Sequence, residues 1–196
     1  MTIGRPREFD TERALDLAME LFWRKGYEGT SLSDLTRTLG ITRPSLYAAF
    51  GNKETLFRNV LDRYEAMAGA YRVKALKAPT AREVARQLLE GAANFHGDRS
   101  NPLGCLGVHG ALACSEESDP IRRELIARRT TGERAIRQRL LRAKAEGDLP
   151  AGANPAVLAR YLSTVIYGMT ILAASKASRK DLLHVARMAL RAWPKI

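Results

Sequence analysis

The chain has little of what a disulfide scaffold, a metal centre, a sheet protein or a membrane protein requires. Cys105 and Cys114 are its only cysteines, too few for a disulfide framework and without the companions a zinc site needs. Aromatic residues make up 7%, which speaks against a sandwich or barrel, while plentiful Ala, Leu and Arg favour an all-α chain. The longest uncharged apolar run, Tyr161 to Ala174, falls short of the roughly 20 residues a bilayer crossing needs. Met1 to Asp10 carries no apolar core of a secretory leader. The expectation is a cytoplasmic protein with reduced thiols, no membrane partner, no metal and no cofactor. Its 196 residues leave room for one or two domains.

An excess of positive charge is also missing from the part of the chain where nucleic-acid binding would be sought. The formal charge is +11, yet residues 1–64 hold 10 Lys/Arg against 9 Asp/Glu, and residues 65–196 hold 22 against 12. Any DNA contact by the N-terminal part therefore rests on particular side chains and not on bulk charge.

Helical periodicity begins after Asp10 with Ala14, Leu15, Ala18, Leu21 and Phe22, and Gly26 stops it. A short helix over Ser31–Leu39 follows, started by Thr30 or Ser31, with Gly40 supplying a turn. A third spans Arg43–Phe50, capped by Thr42 or by Arg43 itself, with Pro44 in its first turn where a missing N–H costs little. Asn52 and Lys53 open a long helix running toward Lys77. Five more are expected over Thr80–His96, Leu103–Cys114, Pro120–Glu146, Pro155–Ser175 and Arg179–Trp193. The fold class is all-α: a three-helix helix-turn-helix head and a C-terminal helical bundle, about nine helices, divided into domains 1–64 and 65–196.

Two short helices about a Gly-containing turn, held by Leu35, Leu39, Ile41, Leu46 and Phe50, make the pattern of a DNA-reading helix-turn-helix. Its polar residues fit that use. Thr30, Ser31 and Thr42 can offer hydroxyls and helix-start N–H groups to phosphates, and Arg43 can reach guanine or phosphate. Pro44, Ser45 and Tyr47 occupy the start of the second helix, with Lys53 near by. The plainer alternative is a helical hairpin with a solvated polar face.

The stretch AMELFWRKGYEGTSLSDLTRTLGITRPSLYAAFGNKETLF resembles the DNA-binding head of the tetracycline-repressor (TetR) family of bacterial transcription regulators, over roughly residues 9–64. The resemblance implies a double-stranded DNA operator, a homodimer and a small-molecule effector as partners, and no catalysis. It places Thr30 and Ser31 at the start of the first motif helix, Thr42 to Ser45 at the reading positions, Tyr47 as an aromatic contact and Lys53 as a phosphate contact. Thr36, Ala48 and Ala49 depart from the family pattern, and the two alanines remove possible phosphate contacts. The arm Gly4-Arg5-Pro6-Arg7 is similar to a minor-groove hook carried by Arg5 and Arg7; a solubilising tail is the alternative.

The last two helices carry more apolar surface than a lone bundle must cover. Tyr161, Val165, Met169 and Leu172 on one, with Leu183, Ala186 and Leu190 on the other, form the expected dimer interface. The arginine-rich stretch 122–144 reads as a solvated face. Cys105 and His109 lie one helical turn apart in a segment that, by the resemblance, lines an effector pocket, and some family members with a Gly-Cys-Leu stretch sense oxidants or electrophiles there. Lys176 is a candidate cation beside the thiol. A packed cysteine and a hydrogen-bonded histidine are the alternative, a Cys/His enzyme and a non-specific architectural DNA binder the rival functions.

Overall fold

The structure, a computed structural model, describes residues 10–108 and 118–194. Among these residues there is no strand, a helical segment begins at Leu106, and nine helices have both ends described: α1 Thr11–Lys25, α2 Leu32–Leu39, α3 Arg43–Phe50, α4 Lys53–Ala68, α5 Ala70–Leu76, α6 Ala81–His96, α7 Asp119–Ala145, α8 Pro155–Ala174 and α9 Arg179–Arg191. The helix starts follow the capping residues. The side chains of Asp10, Ser31, Thr42, Asn52, Thr80 and Ser178 each accept from the backbone N–H three residues on, satisfying donors that a helix leaves open at its first turn.

Two boundaries differ from expectation. The long fourth helix is interrupted at Gly69, the poorest helix former in the stretch, and α5 restarts at Ala70. The segment expected to be helical from Leu103 has no helix until Leu106; its continuation, with His109 and Cys114, lies outside the described residues.

Two apolar cores result. One is built by α1 to α4, with Phe22, Leu35, Leu46 and Phe57 inside, and it does not stop at the expected domain boundary. It continues through Tyr64 and Ala68 into Leu106, Ile121 and Leu125. The other is the bundle core of α5 to α9 around Leu88, Leu89, Leu140, Leu162, Met169 and Leu182. Residue 64 thus falls inside α4, which belongs to the head and also packs on the bundle.

Charged residues tie the same parts together. Arg63 of α4 reaches Asp16 and Glu12 of α1. Arg58 and Arg128 bridge α4 and α7, the former through Glu124 at 2.9 Å and the latter through Glu65 at 2.9 Å and Asp62 at 2.7 Å. The arginine-rich α7 is therefore only partly a solvated face. Arg139 is buried and donates to the carbonyls of Ala78 and Pro79 at 2.7 and 3.0 Å, clamping the turn before α6.

The outer surface of α8 and α9 corrects the expected interface. Met169 and Ala186 are fully buried within the protomer core, so neither is available to a second chain. Tyr161, Val165, Leu183 and Leu190 are half-buried against that core, and the Tyr161 hydroxyl donates to the Ala189 carbonyl at 3.0 Å. Leu172 is exposed, together with Val157, Ile171 and Met188, while a Cβ built on Gly168 would meet nothing within 4 Å. The 20-residue α8, with hydropathy 1.5, is long and apolar enough to cross a bilayer, longer than its uncharged run suggested. Its buried face packs in the bundle core through Ala159, Leu162, Ile166, Met169 and Ala173.

Candidate nucleic-acid interface

The geometry of the motif is set by its caps and turn. Ser31 and Asp34 form a reciprocal capping box at the start of α2, which satisfies two helix-start donors at once. Asp34 also pairs with Arg37 at 2.6 Å and Lys25 at 3.1 Å. The backbone N–H of Ser31, then Lys25 and the Ser31 hydroxyl, hold its carboxyl at about 2. Gly40 takes the left-handed conformation, φ 68°, which glycine adopts without a Cβ penalty. Thr42 then caps α3, with Pro44 near its start. Leu46 and Phe50 turn inward.

That inward pair fixes what α3 shows to solvent: Thr42, Arg43, Pro44, Ser45, Tyr47, Ala48 and Ala49 are all exposed. Tyr47 stands 47% exposed, a large aromatic ring with no core to cover it. An Arg, a Tyr and two hydroxyls on one short, rigidly seated helix can donate to phosphates and to base edges in a major groove. Arg43 is already steered, since one of its terminal nitrogens donates to the Ser33 hydroxyl at 3.2 Å. Ser33, on α2, is a positioning residue that sequence spacing did not identify. Thr42 and Ser45 hydroxyls lie 2.9 Å apart and share one hydrogen bond.

Lys53 holds its ammonium 4.2 Å from the centre of the Tyr27 ring. Partial burial lowers its pKa, with Glu28 acting in the opposite sense. The sequence named Lys53 but not the aromatic platform beneath it, which lies 26 residues upstream.

Thr30 is a correction. Its side chain is fully buried, its hydroxyl donates to the Gly26 carbonyl at 2.7 Å and its N–H donates to the Tyr27 carbonyl. Both groups expected to meet phosphate are spent on the loop that ends α1. Arg5 and Arg7 lie outside the described residues.

Two comparisons of sequence decide the identity of this arrangement. The description "Bacterial regulatory proteins, tetR family" matches residues 14–60, and "Tetracyclin repressor-like, C-terminal domain" matches residues 81–189. The chain belongs to the TetR family. Among its relatives is the HTH-type transcriptional repressor ComR of Escherichia coli strain K12, 38% identical over 98% of this chain and 93% of that protein. The repressor BdcR of the same strain is 30% identical over 95% of this chain and 90% of that protein. Among solved structures, the TetR-family regulator CifR, as a cysteine mutant complexed with a 26-bp double-strand operator, superposes with TM-score 0.92 at 44% identity, over 97% of this chain and all of that one. The TetR-family chain is thus an all-α transcription regulator, of a family of regulators and not of enzymes.

In the C-terminal part of this TetR-family protein, Cys105 is half-buried and faces Tyr64, whose hydroxyl donates to its sulfur at 3.2 Å. Burial, then the neighbouring Cys105, raises the Tyr64 pKa well above its ordinary value. Lys176, the expected companion of the thiol, instead lines a separate cleft beside Leu103. His109 lies outside the described residues. The residue just before Cys105 is a junction: the Gly104 carbonyl accepts from the indole N–H of Trp23 at 3.3 Å and lies 3.1 Å from Nδ1 of His96.

Proposed function

We propose that this regulator is a homodimeric repressor, working in the cytoplasm, whose two heads occupy successive major grooves of a near-palindromic operator and which a small-molecule effector releases. The exposed apolar stripe of Val157, Ile171, Leu172 and Met188 beside the uncovered Gly168 carries the dimer part, and we read that stripe as facing a second copy and not a bilayer. A two-fold dimer presents two copies of α3, which is what a symmetric operator matches. The reading helix supplies Thr42, Arg43, Ser45 and Tyr47, with Ser31 and Lys53 toward the backbone. The names of ComR and BdcR as repressors support the sign of control. Effector release is a population shift, which requires the ligand to bind the non-operator arrangement of the heads more tightly. Selection of bound sites from random duplexes tests the reading. The expected product has two half-sites whose centres lie about 10 bp apart or a multiple of that; an asymmetric or sequence-indifferent product refutes it.

A second reading is favoured by the Tyr64–Cys105 hydrogen bond, because Tyr64 belongs to α4, which is shared by head and bundle. Addition of the Cys105 sulfur to a quinone ring carbon, with the ring oxygens taking up the protons, replaces that hydrogen bond with a bulky thioether and displaces Tyr64. Operator release by benzoquinone in the wild type and not in Cys105→Ser supports it; equal release in both leaves Cys105 as packing.

A further inference from the structure

A cleft of about 420 Å³ opens at the seam between the head and the bundle, away from the reading helix. Arg24 of α1 lines it from the head side, and Arg99, Leu103 and Lys176 from the bundle side, with buried His96 at its floor. Asp98 is the one acidic residue in the lining, and its carboxylate is engaged by the backbone N–H and hydroxyl of Ser100. Arg24 is held by Glu20 at 2.7 Å, whereas Arg99 and Lys176 have no ion-pair partner among the described residues.

Lys176 is unusual in its backbone as well. Five glycines and Lys176 have positive φ among the described residues, so Lys176, at φ 68°, is the one side chain placed in that region. It occupies the position after α8 where glycine is the ordinary choice, closing the helix with bonds from its own N–H to Ala173 and from Ala177 to Leu172. A long cationic side chain kept in a strained position is a pointer to a task. Three helices end at this cleft, and each helix C-terminus carries partial negative charge that falls off within its last turn. Complementing those ends is the competing use of the cations, and it needs neither a cavity of this size nor two cations without carboxylate partners.

We propose that this cleft binds a small organic or inorganic oxyanion, a carboxylate or phosphate, with Lys176 and Arg99 as its anchors and Arg24 as the contact from the head. The cleft loop leads directly to the Gly104 carbonyl that holds Trp23 of α1, so occupancy bears on how the head is held. The binding site stands apart from the ligand-released repressor reading, and only its effect on the operator depends on that reading.

The test titrates citrate and inorganic phosphate into the full-length protein by calorimetry at constant ionic strength, in wild type, Lys176→Gly and Lys176→Gly/Arg99→Ser. Glycine suits the left-handed position, so Lys176→Gly keeps or raises the melting temperature. Saturable binding of at least one probe is expected in wild type, weakened about tenfold by each lost charged hydrogen bond. No saturable binding of either probe in wild type, or equal affinity in the double variant, overturns the proposal; the second outcome assigns the cations to the helix ends. Operator affinity measured with and without the bound probe is a separate readout. An unchanged operator Kd with intact, Lys176-dependent anion binding keeps the site and removes only its link to DNA release.

Discussion

Aspartate at both Leu172 and Met188 separates association from folding. These side chains are 44% and 61% exposed on the protomer, so carboxylates there remain in water when the chain is alone, and each changes protomer stability by no more than about 0.5 kcal/mol. In a two-fold dimer every substitution occurs twice. Complete burial of a Leu or Met side chain contributes about 1.5–3 kcal/mol, and the half still exposed on the protomer is about 1 kcal/mol for each of the four side chains. Loss of all four, before any repulsion between the new carboxylates, comes to about 4 kcal/mol, or roughly a thousandfold in the dissociation constant. Sedimentation velocity across nanomolar to micromolar protein reads this, with thermal unfolding run in parallel. A double variant that sediments as wild type at every concentration, with an unchanged melting temperature, refutes the assigned face. Met169→Asp is the internal contrast. Its side chain is fully inside the bundle core, and an unpaired charge there lowers the melting temperature or prevents folding whatever the association state.

Three further outcomes follow from the head. Arg43→Ala and Tyr47→Ala each weaken specific operator binding by about 1–3 kcal/mol in gel-shift titrations, whereas Lys53→Ala weakens all sequences alike and lowers the salt slope by about 1. Thr30→Val removes the hydroxyl bonded to Gly26 and costs about 1 kcal/mol of stability, seen as a lower urea midpoint; a large operator defect at full folding would return Thr30 to the contact set. Asp34, held at about 2 by Ser31 and Lys25, stabilises the fold above the ordinary carboxyl pKa near 3.8 and loses that contribution as pH falls toward 2. The stability gap between wild type and Asp34→Asn therefore narrows over that window in acid-titrated unfolding, and a gap independent of pH removes Asp34 from the cap's energetics.

The helices of the head are legible in the sequence because each announces itself chemically: Asp10, Ser31, Thr42 and Asn52 cap, Gly26, Gly40 and Gly51 end, and Leu35, Leu46 and Phe50 recur at helical spacing. The exposed reading face follows from the same periodicity. Thr30 escapes it because a threonine before a cap looks the same whether its hydroxyl faces water or folds back four residues. On α8, small and apolar residues occupy nearly the whole circumference after Arg160, so spacing cannot say that Met169 points inward and Leu172 outward. Tyr27 under Lys53, Ser33 beside Arg43 and Tyr64 against Cys105 are contacts across the chain fold, with no one-dimensional signal to find them.

The packing of α4 against bundle residues inside the head's own core bears on modularity. Leu106, Ile121 and Leu125 complete the hydrophobic interior that Phe22, Phe57 and Tyr64 begin, so the DNA-reading part is not a detachable cassette ending at residue 64. A chimera that grafts residues 10–64 onto the bundle of a distant relative inherits an unfilled socket on its inner side. One that carries the three bundle residues along with the graft restores it. Recombination within this lineage is thereby constrained at positions that touch neither operator nor ligand, and divergence of operator preference is freest on the solvent face of α3, where substitutions leave the shared interior intact.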